Sequence, residues 1–379
     1  SVMGRHDESL RAFQKVAAAN PSNAMAQTNV SVALMRAGDP QAAIAAAERA
    51  LALDPTAPEA HAALGHGHNM MHRPQQAIDE FDAALRLRPD FPDALIGAAR
   101  AHRELGRLGA AIVALLRAAA IAPNLHNPLV DLATCFREFG EADAAREALH
   151  KAIALAPNFP LFYGNLLLDM QYDPDIDEAQ AAAAACQWGR RQIAAVRAVL
   201  PVADRNRDPD RPLRVGYVSA DFYCHPVGWL GSAPIMAHDR AAVTTFIYAN
   251  LTSRDQLTEA LQRSVDAWVP IMGLDDDTVA ARIAADRIDI LVDLAGHTAG
   301  NRLGVFARRP APIQLTWLGY SATTGLPVMD YMLLDQHHLS GDAESHILES
   351  VVCLPHIRFC YAPPDYACLL YTSPSPRDR

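Results

Sequence analysis

The groups that could do chemistry in this 379-residue chain gather in three short segments of its second half. The first, SADFYCHP over residues 219–226, ends on His225 and a proline, with Asp221 four residues before the histidine. A loop histidine near an acid can accept a proton or hydrogen-bond a hydroxyl at neutral pH. The second, AGHTAGNR over 295–302, sets His297 and Thr298 between Gly296 and Gly300, glycines that let the backbone turn its N–H groups toward an anion. The third, LGYSATTG over 318–325, places Leu318, Gly319, Tyr320 and Thr323 in a tight threonine-rich turn. Each also has a plain reading: a helix-start histidine, a strand-to-helix turn with glycines chosen for shape, and a turn between core strands.

To act together the three segments must reach one edge of a fold. Beyond residue 212 apolar runs alternate with helical patterns. Strands are predicted over 213–219, 244–250, 268–271, 289–294, 313–318 and 331–335, and helices over 226–237, 254–265 and 278–285. Continuous apolar strands alternating with helices imply a parallel sheet covered on both faces, a Rossmann-like α/β domain. Its ligand edge is the carboxyl ends of the strands, where all three segments and the turn near Leu251 would lie. No GxGxxG follows the first strand, so no dinucleotide cofactor is expected.

The first half is built differently. Proline recurs at 21, 55, 89, 123 and 157, 34 residues apart each time, after alanine-rich helical patterns such as AIAAAERALALDP. That period marks tetratricopeptide repeats. Alanine holds the tight inter-helix position (Ala43, Ala77, Ala111, Ala145) and recurs seven residues on (Ala50, Ala84, Ala118, Ala152), where small side chains let two antiparallel helices approach. A half-repeat over 1–23, four repeats over 24–159 and a capping helix over 160–171 predict an all-α solenoid whose concave face usually binds extended peptide. A charged, proline-punctuated stretch ends the helical linker over 172–212.

Bulk properties narrow the partners. A net charge of −10 and a pI near 5.8, with no basic stripe, argue against nucleic acid. Six cysteines without a CxxC pair indicate neither a zinc site nor a disulfide framework, and isolated thiols fit a reducing cytoplasm. No run approaches the ~20 apolar residues that span a bilayer, so no membrane partner is expected. Asp275 to Asp277 formally contains a DxD metal motif but precedes a helix, where acids cap and match the dipole. Adjacent His337 and His338 point apart if extended, so no metal site is expected.

The stretches RVGYVSADFYCHP (214–226) and DILVDLAGHTAGNRLGVFARRPAPIQLTWLGYSATTGLPVMDY (289–331) resemble the catalytic region of the bacterial, SPINDLY-like O-linked N-acetylglucosamine transferase family. The resemblance implies a tetratricopeptide solenoid followed by the first of two facing Rossmann-like lobes of a GT-B glycosyltransferase. It implies transfer of N-acetylglucosamine from UDP-GlcNAc to Ser or Thr of proteins, with inversion and with no metal or cofactor beyond the donor. It makes His225 catalytic and Gly296, His297, Thr298, Leu318, Gly319, Tyr320 and Thr323 substrate-binding. The family's asparagine ladder for acceptor peptide falls here on Asn29, Ala63, Gly97, Asp131 and Asn165, so Asn29, Asp131 and Asn165 are the groove candidates. Trp229 stands where the family often has a second histidine, and Ser321 and Ala322 replace its usual Pro and Gly.

Both ends read as fragment ends: Ser1 enters directly into a helical pattern, and CLLYTSPSPRDR over 368–379 resembles a translated sequencing adapter. The expected plan is repeats over 1–171, linker over 172–212, catalytic lobe over 213–367 and a foreign tail over 368–379. In the family a second lobe supplies most of the nucleotide pocket, so this chain alone is expected to be inactive. The alternative is a peptide-binding repeat scaffold without catalysis.

Overall fold

The computed structural model describes residues 2–157, 159–196, 208, 210–339 and 341–361, without the side chains of residues 2–7, 160 and 161. The tail expected over 368–379, the last six residues of the expected lobe and most of the charged linker stretch lie outside the described residues. Contacts divide the chain into two units, Ser1–Asp175 and Ile176–Arg379.

Unit 1 runs α1 (Val2–Ala19), α2 (Ala24–Arg36), α3 (Pro40–Leu53), α4 (Pro58–Met70), α5 (Pro74–Leu87), α6 (Pro92–Glu104), α7 (Leu108–Ile121), α8 (Asn127–Phe139), α9 (Ala142–Leu155) and α10 (Pro160–Gln171). Prolines open α3, α4, α5 and α6, where the missing N–H costs nothing and the ring presets φ. Asn23 and Asp39 cap α2 and α3 with side-chain bonds to Ala26 and Ala42 N–H. Gly38, Gly106 and Gly140 take positive φ at helix ends, as left-handed C-terminal caps require. All eight alanines of the tight positions are 0% exposed, which shows why the 34-residue pattern keeps them small. Phe81, also fully buried, fills the space beneath Gly65 and Gly97: a β-carbon at Gly97 would lie 2.2 Å from its ring.

Unit 2 opens on α11 (Glu178–Ala195), started by a capping box between Asp177 and Gln180. Then follow β1 (Leu213–Ser219), α12 (Pro226–Met236), β2 (Val243–Ala249), α13 (Gln256–Ser264), β3 (Ala267–Pro270), α14 (Asp276–Ala285), β4 (Ile290–Asp293), α15 (Leu303–Ala307), β5 (Ile313–Thr316), β6 (Tyr331–Asp335) and β7 (Ser350–Leu354). The strands form one parallel sheet in the order β3-β2-β1-β4-β5-β6-β7. Its central strands are apolar because helices cover them. Val215, Tyr217, Ile247, Val292 and Leu294 form one core with Phe222 and Leu261.

The stretch read as a linker contains a helix built into this unit. α11 meets the loop after β5 backbone to backbone: a β-carbon at Gly189 would lie 1.8 Å from the Gly325 carbonyl oxygen, and one at Gly325 2.2 Å from the Ala185 carbonyl. Trp188, buried, stands edge-on to His297 with ring centroids 4.6 Å apart. Gly189→Ala should therefore destabilise unit 2 by about 1–3 kcal/mol, the usual range for overpacking. All four tryptophans lie in this unit, at 188, 229, 268 and 317, so urea unfolding followed by their fluorescence reads it alone. An unchanged midpoint for Gly189→Ala would show that α11 is not seated this closely.

Candidate active site

The sheet order reverses at its middle: β2 lies on one side of β1 and β4 on the other. At such a switch point the loops leaving the two strands diverge and open a crevice at their carboxyl ends. The loop after β1 carries Asp221 and His225, and the loop after β4 carries Gly296, His297 and Thr298. The two touch, since a β-carbon at Gly300 would come within 2.6 Å of the Ala220 β-carbon. Asn250, at the end of β2, ties them further by donating from Nδ2 to the Gly300 carbonyl at 2.9 Å.

His225 is the N-cap of α12, and its Nδ1 accepts the Val227 N–H at 3.2 Å. With Nδ1 held as an acceptor, the neutral ring carries its proton on Nε2, so the free corner of the imidazole is a donor. Asp221 Oδ1 lies 3.9 Å from Nδ1. Burial pushes the Asp221 carboxyl above its ordinary pKa, and His225 opposes that. Gly228 is held against the chain it follows: a β-carbon there would lie 2.1 Å from the Tyr223 carbonyl. This contact fixes how α12 leaves the loop.

The loop after β4 hangs on a carboxylate absent from the sequence-based candidates. Asp293, fully buried at the end of β4, accepts the Ala295 N–H at 3.2 Å, the Gly296 N–H at 2.7 Å and the Thr316 hydroxyl at 3.0 Å. Desolvation raises it to a pKa of about 6 against the lowering effect of those three bonds. An acid closing the apolar run DILVD was its signal in the sequence, because a charge at a buried strand end needs partners. Gly296 takes φ +57 and faces Tyr320, whose Cβ would stand 2.2 Å from a β-carbon there.

His297 was expected to face a ligand; the structure makes it an interior group. It is 3% exposed, its Nε2 donates to the Thr324 carbonyl at 2.9 Å, and its ring lies between Trp188 and Tyr320. Burial drives its pKa down to about 4, so it is neutral at physiological pH. Thr323 is likewise occupied: its hydroxyl donates to Glu349 at 2.7 Å and receives the N–H groups of Gly325 and Leu348. Glu349, almost fully buried, also takes the Thr324 N–H at 2.8 Å and the Thr324 hydroxyl. Nothing in the sequence links a glutamate just ahead of β7 to a loop about 25 residues earlier.

The remaining candidates lie on the loops after β4 and β5. Thr298 is half-buried, with its hydroxyl bonded to the Ala295 carbonyl at 2.8 Å. Leu318 is a buried non-glycine residue at φ +83, a strained conformation that persists only where packing enforces it. Gly319 passes so close to β4 that a β-carbon would sit 2.2 Å from the Leu294 carbonyl. Tyr320 is buried, while Ser321 beside it is exposed.

Among the described residues no cluster of three or more His, Cys, Asp or Glu could hold a metal. Asp275 caps α14 through the Thr278 N–H, Asp276 pairs with Arg302, and Asp277 with Arg308. His337 and His338 lie in a turn rather than a strand, with His338 bonded to Asp335 at 2.8 Å.

In unit 1 the ladder positions fall once on each first helix of a pair: Asn29 on α2, Ala63 on α4, Gly97 on α6, Asp131 on α8 and Asn165 on α10. Asp131 is taken up by the Arg100 guanidinium at 3.0 Å, and Phe81 leaves no room for a side chain at 97. A cavity of ≈ 890 Å³ on this face is lined by Arg36, His66, Asn69, Arg100 and Arg103 among others. Asn69 donates from Nδ2 to the Gly97 carbonyl at 2.9 Å, while its buried Oδ1 has no partner. It lies six residues past the ladder position, which hid it from the period.

Fold and crevice together define a tetratricopeptide array joined to a parallel α/β lobe of glycosyltransferase type. Residues 180–361 match glycosyl transferase family 41, and residues 2–58, 70–126 and 129–158 match tetratricopeptide repeats. The part of the chain that matches that transferase family is thus just under half of its length. The chain is 40% identical over 164 residues to the Arabidopsis thaliana probable UDP-N-acetylglucosamine--peptide N-acetylglucosaminyltransferase SPINDLY, covering 42% of this chain and 18% of that protein. To the Caenorhabditis elegans UDP-N-acetylglucosamine--peptide N-acetylglucosaminyltransferase it is 37% identical over 153 residues, 39% of this chain and 13% of that one. The solved structure of a mutant Thermobaculum terrenum O-GlcNAc transferase aligns with TM-score 0.71 and 32% identity over 82% of this chain and 60% of that one. The chain thus spans less than two thirds of the length of each.

Two buried groups of the site give opposite pH dependences. The unfolded chain protonates a histidine near ~6.5, whereas folded His297 holds out to about 4, so acidification through that window removes stability. Asp293 binds its proton more tightly folded, at about 6 against ~3.9 unfolded, so its contribution is lost as pH rises through that interval. Relative to wild type, His297→Gln should lose the acid-side decline and Asp293→Asn should show the reverse difference. Urea unfolding followed by tryptophan fluorescence between about pH 4.5 and 7 checks this, and variants that track wild type in parallel would contradict the burial of both groups.

Proposed function

We propose that the protein acts as its relatives are named, moving N-acetylglucosamine from UDP-GlcNAc to Ser or Thr hydroxyls of proteins, with inversion and without a metal. What carries this reading is the meeting, at the β1/β4 switch point, of the three segments that resemble the transferase family. In this proposal His225 is the catalytic residue and, with Nδ1 committed to the helix cap, offers Nε2–H to a substrate oxygen. Thr298, the Gly296 backbone and the 318–321 backbone line the donor side, while His297, Tyr320 and Thr323 hold that backbone in shape. The concave face of the repeats presents the acceptor, with Asn29 and Asn165 as its amide contacts. Charge stabilisation of the leaving diphosphate, often the largest catalytic contribution, is assigned to a second lobe of the kind the family carries, so the 379-residue chain by itself is expected to be inactive.

Among the described residues no helix is long and apolar enough to cross a membrane, and the five described cysteines are free. Free thiols support a reducing compartment such as the cytoplasm.

The test is transfer of radiolabelled sugar from UDP-GlcNAc to a panel of protein acceptors by the full-length protein as its gene encodes it. Labelling should persist in EDTA, and His225→Ala should lower the rate by about 10²-fold or more, the usual scale for a positioned proton-handling group. Equal labelling by His225→Ala would remove His225 from the reaction. No labelling of any acceptor would leave the repeats as a binding scaffold and overturn the assignment.

A further inference from the structure

The carboxylates around the crevice loops are of two kinds. Asp293 and Glu349 each gather three hydrogen-bond donors. Asp255, the N-cap of α13, takes the backbone N–H groups of Cys224, Leu257 and Thr258. Asp221, in the loop after β1, is different. Only 13% of its side chain is accessible, yet among the described residues no hydrogen-bond donor lies on its carboxylate.

A carboxylate so far from water is costly without partners, and packing gives no reason to keep one there. His225 beside it does not satisfy it. Its Nδ1 is 3.9 Å from the Asp221 Oδ1, and the Nδ1 lone pair is already turned to the Val227 N–H. The same bond leaves the neutral ring with its proton on Nε2 and no uncommitted lone pair, so His225 gives a hydrogen bond and cannot receive a proton. Transfer of a sugar to a hydroxyl nevertheless releases one. Cys224, next to the histidine, does not take it, because burial and the Asp255 carboxylate push its thiol up and keep it protonated.

We propose that Asp221 is the general base of the transfer, an assignment that rests on the glycosyltransferase reading above. The acceptor hydroxyl oxygen bonds to the anomeric carbon of the donor sugar while the bond from that carbon to the diphosphate oxygen breaks. The diphosphate leaves with the electron pair, and the hydroxyl proton passes to an Asp221 carboxylate oxygen. His225, four residues on, gives its Nε2–H to a substrate oxygen in the same step. Burial raises the Asp221 carboxyl above its ordinary pKa, with His225 opposing, and a carboxylate so raised is a stronger base than an exposed one. Its backbone is fixed on both sides. The Asp221 N–H is held by the Ser219 hydroxyl at 3.0 Å, and α12 packs so close that a β-carbon at Gly228 would lie 2.8 Å from the Asp221 carbonyl oxygen.

The test uses the full-length protein as its gene encodes it, with UDP-GlcNAc and a serine peptide from an acceptor that the wild type labels. Asp221→Asn should bind UDP-GlcNAc as the wild type does, measured by titration calorimetry, while kcat falls by about 10²- to 10⁴-fold, the range for a positioned base. Asp221→Ala, which leaves room beside His225 for a small carboxylate, should regain activity as formate is added. A variant Asp221→Asn that keeps the wild-type rate overturns the assignment and leaves the transferase reading standing. So does a rate lost in step with donor affinity, with no recovery of Asp221→Ala in formate, which would make Asp221 a structural group. A wild type that labels no acceptor sinks the transferase reading itself, and this assignment with it.

Discussion

The site depends on one buried carboxylate. Asp293 lies at the end of the central strand β4 with no access to water, and three donors converge on it, two backbone N–H groups from its own loop and the Thr316 hydroxyl of the next strand. A charge in that position is costly unless paired, so the loop has little freedom to take another path. That path puts Gly296 against Tyr320 and carries the chain on to Gly300 beside the β1 loop. The relative placement of His225 and the loops after β4 and β5 is therefore set by hydrogen bonds made to a fully buried group.

Glu349 repeats the device one strand further out. It lies just ahead of β7 and binds both threonines of the loop after β5, and α11 seals the same loop from outside through the Gly189–Gly325 contact. Two buried acids and one close helix approach thus hold loops that would otherwise be the least ordered part of the sheet. The cost is visible in Leu318, whose positive φ stands without a glycine's freedom. That strain is confined to the residue just after Trp317, a core side chain whose Nε1–H is bound to the Arg358 carbonyl at 3.1 Å.

What was legible in the sequence follows the range of the interactions. Period-34 alanines and prolines report local helix packing and helix ends, and the eight alanines are fully buried where that packing demands. The six predicted strands all form, with ends shifted by no more than two residues, because apolar runs between turns are a local signal too. The burial of His297 was not legible, since it comes from Trp188 more than 100 residues away in sequence. The stretch containing that tryptophan read as linker because its alanines carry no strong amphipathic contrast, and only the glycine at 189 hinted at a close approach. Glu349 and Asn69 stayed hidden for the same reason: each acts on a backbone group far along the chain.

The broken asparagine ladder follows from packing rather than from drift at a free surface. Phe81 is the large residue that lets the second and third repeats close on alanines, and its ring occupies the volume that a side chain at 97 would need. With a glycine there, the bare Gly97 carbonyl is reached by Asn69 from the preceding repeat, which leaves the Asn69 side-chain oxygen as the acceptor turned out of that pair. The ladder position at Gly97 thus carries no side-chain amide, and the Asn69 amide six residues past its own ladder position is turned inward onto the Gly97 carbonyl. Neighbouring Arg100 is already committed to Asp131 and Arg103 faces Glu138, so these two cations enter as paired charges. Exposed pairs of this kind contribute little by themselves, so the middle of the array is held together by its buried alanines and Phe81.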